Sequence, residues 1–229
     1  MSEWWTYSLL DFLLFSPRTY YRLIELHNVE WWPAQIAALL AGLAVAALLR
    51  RPGPRAAALV ALVLALAWAW VGTTFLWLRY ATINWAAAFM APAFVVEAVL
   101  LAASAWRAGT DVARPAPRVR STSIAGWSML AAALGYGAIA LVSTRGIRAA
   151  EVFGITADPT ALATLGALLI APLPLRTALM PIPLAWCFVS GTTLWAMGAP
   201  EAPLLPLAAL CALGAVVAPG HRDRPRGRG

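Results

Sequence analysis

Residues 56–78 read AAALVALVLALAWAWVGTTFLWL and contain no charged side chain. A helix needs about 20 apolar residues to cross a hydrocarbon core of roughly 30 Å, so this run predicts a membrane-spanning helix. The whole chain shares its character, since 62% of the 229 residues are hydrophobic and only 12% are charged. Soluble domains contain about 25% charged residues. The composition therefore excludes an ordinary soluble domain, a disordered chain and a disulfide-rich secreted module.

Six further segments resemble residues 56–78 in length and apolar character, so the sequence predicts about seven transmembrane helices. The seven segments are residues 31–49, 56–78, 81–106, 121–144, 159–175, 181–198 and 202–219. Prolines interrupt the last three segments and are expected to shorten or kink those helices. The predicted fold class is an all-α membrane protein, with the polytopic transmembrane domain over residues 31–219.

Residues 1–30 are predicted to form an amphipathic interfacial hairpin of two short helices. The first helix carries a leucine face: Leu9, Leu10, Leu13 and Leu14. The second begins at Ser16 and Pro17, a residue pair typical of a helix N-cap and first turn. Its apolar face consists of Tyr20, Leu23, Ile24 and His27. Such helices usually lie along a bilayer surface, whereas the basic residues 220–229 are expected to be a disordered tail.

The arginines predict how the chain threads the membrane. All 17 basic residues are arginine, and the predicted spans place 12 of them on one side and 5 on the other. The side with more basic residues faces the cytoplasm in most membrane proteins. We therefore expect the C-terminus in the cytoplasm and the N-terminus outside. Tryptophans near the predicted span ends, such as Trp77, Trp85, Trp195 and Trp106, should lie in the headgroup regions.

The same inventory excludes several chemistries. The chain has no lysine, which a Schiff-base catalyst and a P-loop both require. Its two histidines lie outside the predicted spans, and Cys187 and Cys211 lack the spacing of a zinc site. We expect no metal, no cofactor and no nucleic-acid partner. The expected partners are membrane lipids, other membrane proteins or a second copy of the chain.

Several segments carry a family resemblance. They are the N-terminal MSEWWTYSLLDFLLFSPRTYYRLIELHN, the turn RYATINWAA, and the stretches AEVFGITADPTALATLGALL and PIPLAWCFVSGTTLWAMG. Together they resemble an uncharacterised family of bacterial multi-pass membrane proteins. The resemblance implies a bacterial origin and a membrane location, and together with the predicted spans we expect a multi-pass protein of the bacterial inner (plasma) membrane. It implies no catalytic residues, since the family has no known function.

Glu97 is the main candidate for an intramembrane site, because it is the one acidic residue within a predicted span. A carboxylate in hydrocarbon is costly and must face protein or water, or be neutral. One interpretation is a proton or cation ligand. The other is a protonated Glu97 that forms a hydrogen bond with a neighbouring helix. The candidate hydrogen-bond partners are Tyr136, Ser190, Thr192 and Thr193.

Candidate sites outside the spans are weaker. Arg79 and Asn84 lie in a short outer turn and are either ligands for an anionic headgroup or solute, or parts of an ordinary polar turn. Asp158, followed by Pro159 and Thr160, resembles an acidic group of a ligand site, but the favoured interpretation is a helix N-cap with Pro159 at the first helical position. Arg148 and Glu151 are a possible exposed ion pair in the same loop.

Two functions are compatible with these features. The first is a non-catalytic membrane subunit or scaffold that associates with lipid or with partner proteins. The second is a small permease that uses Glu97 as its coupling carboxylate. An intramembrane enzyme would need at least two convergent polar groups, and the sequence indicates no catalytic residues.

Overall fold

The structure, a computed structural model, describes residues 15–51, 53–110, 120–143, 145–171 and 173–217, and its regular elements in these ranges are all helical. Within them, ten α-helices follow one another along the chain. They are α1 (Pro17–Glu30), α2 (Ala34–Leu49), α3 (Pro54–Trp70), α4 (Ala87–Thr110), α5 (Arg120–Gly135), α6 (Ile139–Val142), α7 (Ala157–Ile170), α8 (Arg176–Leu179), α9 (Pro181–Ala196) and α10 (Leu204–Val217). The all-α fold class is confirmed.

Four helical stretches are long and apolar enough to cross a membrane. They are Pro54–Thr82, Ala87–Thr110, Ser123–Val142 and Arg176–Ala196. The pair α1 and α2 would make a fifth only as a broken span, since the two helices are bent by 92°. Each of the seven predicted segments contains a helix, but the seven-span count is not confirmed. Helices α7 and α10 have 14 residues each, about 21 Å at 1.5 Å per residue, less than the hydrocarbon thickness.

The stretch that starts with α3 changes its helical geometry. Helix α3 continues without a break into a π-helical segment, Val71–Trp77. There the Leu78 amide donates to the Thr73 carbonyl, five residues back, at 3.1 Å. The hydroxyls of Thr73 and Thr74 donate to the carbonyls of Ala69 and Trp70 at 2.8 Å. Threonines that bond the preceding turn often bend a helix, and the π-helical segment ends just before the turn that leads into α4.

Helix α7 forms the axis of the bundle, and all 14 of its residues are buried. Helices α3, α5, α9 and α10 pack around it. Its threonines are satisfied inside the core: the Trp68 indole donates to the Thr164 hydroxyl at 2.8 Å, and that hydroxyl donates to the Thr160 carbonyl at 2.9 Å. The bundle is therefore solid along its centre.

Glycines allow the closest approach to α7. A Cβ placed on Gly126 of α5 would lie 2.8 Å from the Gly166 carbonyl oxygen of α7, and a Cβ on Gly166 would lie 2.7 Å from the Gly126 carbonyl oxygen. Small residues at crossing points are typical of helices that pack in membranes. Gly191 of α9 likewise lies against Pro206 of α10.

Helix α1 lies across one end of the bundle. Ser16 caps it as predicted, since the Ser16 hydroxyl accepts from the Thr19 amide at 3.2 Å. Its buried residues are the four predicted for its apolar face, Tyr20, Leu23, Ile24 and His27. The first predicted helix lies outside the described residues, so the hairpin itself is not confirmed. We call the end formed by α1 and the loops 78–86, 145–156 and 197–203 the capped end.

The sides of the bundle expose large apolar residues. Phe89, Val99 and Val142 are 73%, 62% and 89% exposed. A surface this apolar would be unstable in water and fits a lipid environment. The tryptophans predicted for the headgroup regions are exposed as well: Trp77, Trp85, Trp195 and Trp106.

Candidate functional site

Asp158 lies at the centre of a buried polar cluster beneath the capped end. It sits in the first turn of α7, where the helix dipole favours a negative charge. Its Oδ1 accepts from the Trp186 indole at 2.8 Å, and its Oδ2 accepts from the Tyr136 hydroxyl at 3.3 Å. The predicted role of Asp158 as N-cap is wrong. The helix begins at Ala157 with Thr156 as the N-cap, and the carboxylate turns instead towards Trp186 of α9 and Tyr136, which directly follows α5.

The loop before α7 brings a second carboxyl group into the cluster. Two contacts hold the loop. The Gly154 amide donates to the Thr160 hydroxyl at 2.9 Å. Gly137 lies so close to the loop that a Cβ added to it would be 3.1 Å from the Glu151 carbonyl oxygen. As a result Glu151 is only 4% exposed, and its Oε1 has no hydrogen-bond partner among the described residues. The predicted ion pair with Arg148 is not formed within this part of the chain.

A third carboxyl group, Glu201, pairs with Arg145 instead. Both side chains are nearly inaccessible, with 3% of Glu201 and 11% of Arg145 exposed. The Arg145 guanidinium also lies 4.1 Å above the centre of the Tyr21 ring of α1. The pair thus joins two loops to α1 at the capped end.

The charges of this cluster affect one another. Burial raises the pKa of Glu151 well above its ordinary value, and the neighbouring charges of Asp158 and Glu201 raise it further, whereas Arg145 lowers it. One arginine faces three carboxyl groups, so protonation of Glu151 relieves the excess negative charge. Among the described residues, no group of three histidine, cysteine, aspartate or glutamate side chains is arranged to hold a metal ion.

Glu97 lies in the middle of α4, away from its predicted partners. It is fully buried, and neither carboxyl oxygen has a hydrogen-bond partner among the described residues. Tyr136 donates to Asp158, as described above. Thr192 and Thr193 donate to carbonyls of their own helix, both reaching Val189 O at 2.8 and 2.9 Å. The structure therefore does not bring the four predicted hydroxyl groups to Glu97.

Ser190 belongs to the surroundings of the carboxylate cluster. It lines a small cavity of about 20 Å³ together with Tyr20, Tyr80 and Trp186. Such a volume holds about one water molecule. The aromatic rings above this cavity, Tyr20 and Tyr80, are 5.7 Å apart and pack edge to face. The capped end thus covers the cluster with tyrosines.

The predicted outer turn is occupied by local contacts. Arg79 forms an ion pair with Glu30 at the end of α1. Asn84 accepts from the Ala86 amide at 3.1 Å and thereby stabilises its own turn. Both residues lie at the capped end, and each already has a structural partner there.

Sequence reasoning did not identify the carboxylate cluster. Glu151 and Glu201 lie between apolar segments, where an acidic residue is ordinary, and no local pattern marks them as buried. The sequence offers Asp158 as an acidic group of a ligand site, but it favours the helix-cap interpretation. The sequence signal available was indirect: tyrosines and tryptophans recur in the segments that meet at this end.

Comparison with known proteins places the chain in a family but assigns no activity. No curated protein and no solved structure shows significant similarity to it. A family profile, in contrast, matches residues 18–224, which include nearly all of the described helices. The match also agrees with the resemblance seen in the sequence to an uncharacterised family. The chain therefore belongs to a family of unknown function, DUF6064.

Proposed function

We propose that the chain is a multi-pass integral membrane protein that acts as a non-catalytic subunit or scaffold. The observation that carries the proposal is the complete burial of α7. A bundle with a filled axis holds a fixed shape in lipid, and its solid core leaves the outer faces of the surrounding helices for interactions. Lipids and a partner protein, or a second copy of the chain, are the proposed binding partners.

The proposed location is the bacterial inner membrane. We propose that all seven apolar segments predicted from the sequence are inserted in it. Exposed apolar side chains on α2, α3, α4 and α10 support contact with lipid on several sides of the bundle. The short α7 is shielded by its neighbours, so it needs no contact with either headgroup region. The arginine distribution supports a cytoplasmic C-terminus.

Two measurements test this proposal. The purified chain should stay monodisperse only with detergent or in nanodiscs, because its exposed apolar side chains would otherwise associate in water. Chemical cross-linking in native membranes, followed by purification in mild detergent, should return a defined second protein or a dimer. A chain that is monodisperse in plain buffer would overturn the membrane assignment. A chain recovered alone and monomeric after cross-linking would overturn the scaffold role.

A permease is the second candidate, and the isolation of Glu97 favours it. A fully buried carboxyl group with no hydrogen-bond partner in the described part of the chain is expensive to maintain. Proton or cation coupling is one reason to retain such a group within a span.

Replacing Glu97 by Gln separates the two functions. In proteoliposomes with a pH-sensitive dye inside, a proton-coupled permease should lose its proton flux when Glu97 becomes Gln. Glu25→Gln, at a half-buried position of α1 where Glu25 pairs with Arg22, is the control and should keep that flux. A scaffold should show no flux in any of the three proteins and should remain folded with either substitution.

A further inference from the structure

A hollow of about 370 Å³ lies at the capped end, between α1 and the turn that leads into α4. Three arginine side chains line it: Arg18 and Arg22 from α1, and Arg79 from the turn. Arg18 and Arg22 are four residues apart, so they share one face of α1. No aspartate or glutamate lines the hollow among the residues that the structure describes. Its charged wall is therefore positive.

Two of these arginines are held in place and still have donors to spare. Arg22 Nη1 donates to Glu25 at 2.6 Å, and Arg79 Nη2 donates to Glu30. Each pair engages one nitrogen of a guanidinium group that carries five N–H donors, so the other donors are available to a ligand. Arg18 forms no ion pair within the described part of the chain. The three arginines and two glutamates therefore leave one net positive charge at the hollow.

The remaining wall of the hollow is largely apolar. Leu23 is buried, Ile83 is half-buried and packs against the core, and Leu26 is exposed. Free phosphate gains nothing from such a wall, because it has no apolar part to place there. A phospholipid, in contrast, carries its phosphate next to a glycerol group and acyl chains. The combination of guanidinium groups and aliphatic side chains therefore favours a lipid over a small soluble anion.

In the proposed membrane location, the hollow lies at the depth of the lipid phosphates. The turn that carries Arg79 runs between Trp77 and Trp85, which are 55% and 65% exposed. Exposed tryptophans of membrane proteins are enriched at the headgroup level. The other wall is α1, an amphipathic helix of the kind that lies along a bilayer surface. The arginines therefore lie where phosphate groups are concentrated.

We propose that this hollow binds the phosphodiester of one anionic phospholipid. Arg18, Arg22 and Arg79 donate to the phosphate oxygens, and the glycerol and upper acyl chains lie against Leu26 and Ile83. Arginine matches phosphate in geometry as well as in charge. One phosphodiester neutralises the net positive charge of the hollow, whereas a zwitterionic lipid would bring a cation along with its phosphate. This inference rests on the proposed membrane location but not on the scaffold role.

The test compares phosphatidylglycerol with phosphatidylcholine that carries the same acyl chains. The full chain in detergent is mixed with equal amounts of both lipids, and native mass spectrometry counts the lipid that stays bound. One basic residue near a membrane surface favours an anionic lipid by about fivefold in affinity, so we expect about fivefold more bound phosphatidylglycerol. Inorganic phosphate, compared with chloride at the same ionic strength, should not displace that lipid.

Two pairs of variants assign the contacts. Arg18→Gln removes the net charge without breaking a described ion pair, and it should bring the two lipids to nearly equal retention. Arg148→Gln removes the same charge from another exposed position at the capped end, outside the hollow, and should keep the preference. Leu26→Trp should fill the hollow and abolish the preference, whereas Val29→Trp, at an exposed position of α1 outside the hollow, should keep it.

Several outcomes would overturn the inference. Equal retention of the two lipids by the wild type would do so, as would an equal loss of preference in Arg18→Gln and Arg148→Gln. Displacement of the lipid by inorganic phosphate would assign the hollow to a soluble anion. A preference that appears only after Glu3→Gln and Asp11→Asn would assign it to acidic side chains of the chain itself. A chain that needs detergent but shows no lipid preference refutes this inference alone, whereas a chain that is monodisperse in plain buffer refutes the membrane location itself.

Discussion

At the scale of single residues, Glu151 is the side chain whose surroundings differ most from those its sequence position suggests. It faces Asp158 of α7, Glu201 after α9, Arg145 of its own loop and Tyr20 of α1. Burial and the two neighbouring carboxylates favour its protonated form. The protonation of this one residue therefore couples the stability of the capped end to pH.

The pH dependence of stability should reveal this coupling. In the unfolded chain Glu151 loses its proton near its ordinary pKa, whereas in the folded chain it retains the proton to higher pH. Between these two pKa values stability falls as pH rises, by about 1.4 kcal/mol per pH unit for one group. Below the ordinary pKa, Glu151 is protonated in both the folded and the unfolded chain, and the folded chain has the full stability that this proton provides.

We expect Glu151→Gln to remove this loss of stability. Thermal unfolding in detergent, measured from pH 4 to pH 9, should show a smaller decline for the variant than for the wild type. Glu25→Gln, which removes the partner of Arg22 on α1, should decline like the wild type. A variant curve parallel to the wild-type curve would show that Glu151 is not the titrating group.

Glu97 and Glu151 show which polar residues a sequence can reveal. Glu97 interrupts a continuous apolar run, so its burial could be predicted from local composition, and it is buried. Glu151 is buried because α1 and two distant loops meet over it. That arrangement depends on contacts between residues far apart in sequence, which no local pattern encodes. The same holds for the ion pair of Arg145 and Glu201.

At the scale of helices, the length of each apolar segment predicted where a helix lies in the chain, but it predicted the first and last residues of that helix less well. The predicted segment 181–198 corresponds to α9 (Pro181–Ala196), whereas 81–106 corresponds to α4, which begins only at Ala87. The difference arises because a 3-10 turn and the Asn84 side chain occupy residues 80–86. Helix α7 ends at Ile170, before the prolines at 172 and 174, because a residue that precedes proline avoids the helical conformation.

The crossing of α5 and α7 should be sensitive to one added methyl group. Gly166→Ala places a Cβ against the Gly126 backbone, which cannot move aside easily. We expect a loss of about 1–3 kcal/mol, typical of overpacking. Gly214→Ala in α10 is the control, because a Cβ there meets nothing within 4 Å, and alanine favours a helix over glycine.

The free energy of unfolding of both glycine variants can be measured in mixed detergent micelles. The expected order of stability is Gly214→Ala at or above the wild type and Gly166→Ala clearly below it. Equal stability of the two variants would mean that α5 and α7 do not approach as closely as the structure indicates.

At the scale of the whole molecule, the capped end and the opposite end differ in chemistry. The capped end carries α1, the carboxylate cluster and the exposed Trp77, Trp85 and Trp195. The opposite end carries Arg50, Arg51 and Arg107. If the arginine-rich end faces the cytoplasm, the capped end lies outside.

Reporter fusions test this orientation. In a bacterial host, alkaline phosphatase fused to the chain is active only outside the cytoplasm. Green fluorescent protein fused at the same position fluoresces only inside the cytoplasm. We expect fluorescence for fusions after residue 110 and phosphatase activity for fusions after residue 146. The reverse pattern would invert the topology while leaving the helix packing unchanged.

The full enclosure of α7 has a consequence for biosynthesis. The ribosome makes this helix before α9 and α10, so one flank of the bundle's axis stays uncovered until residues 181–217 have been inserted. A 14-residue helix is too short to remain stably in a bilayer without neighbours. Nascent chains that stop near residue 180 should therefore be recognised by membrane quality-control proteases, and the C-terminal helices act as the final closing step of assembly.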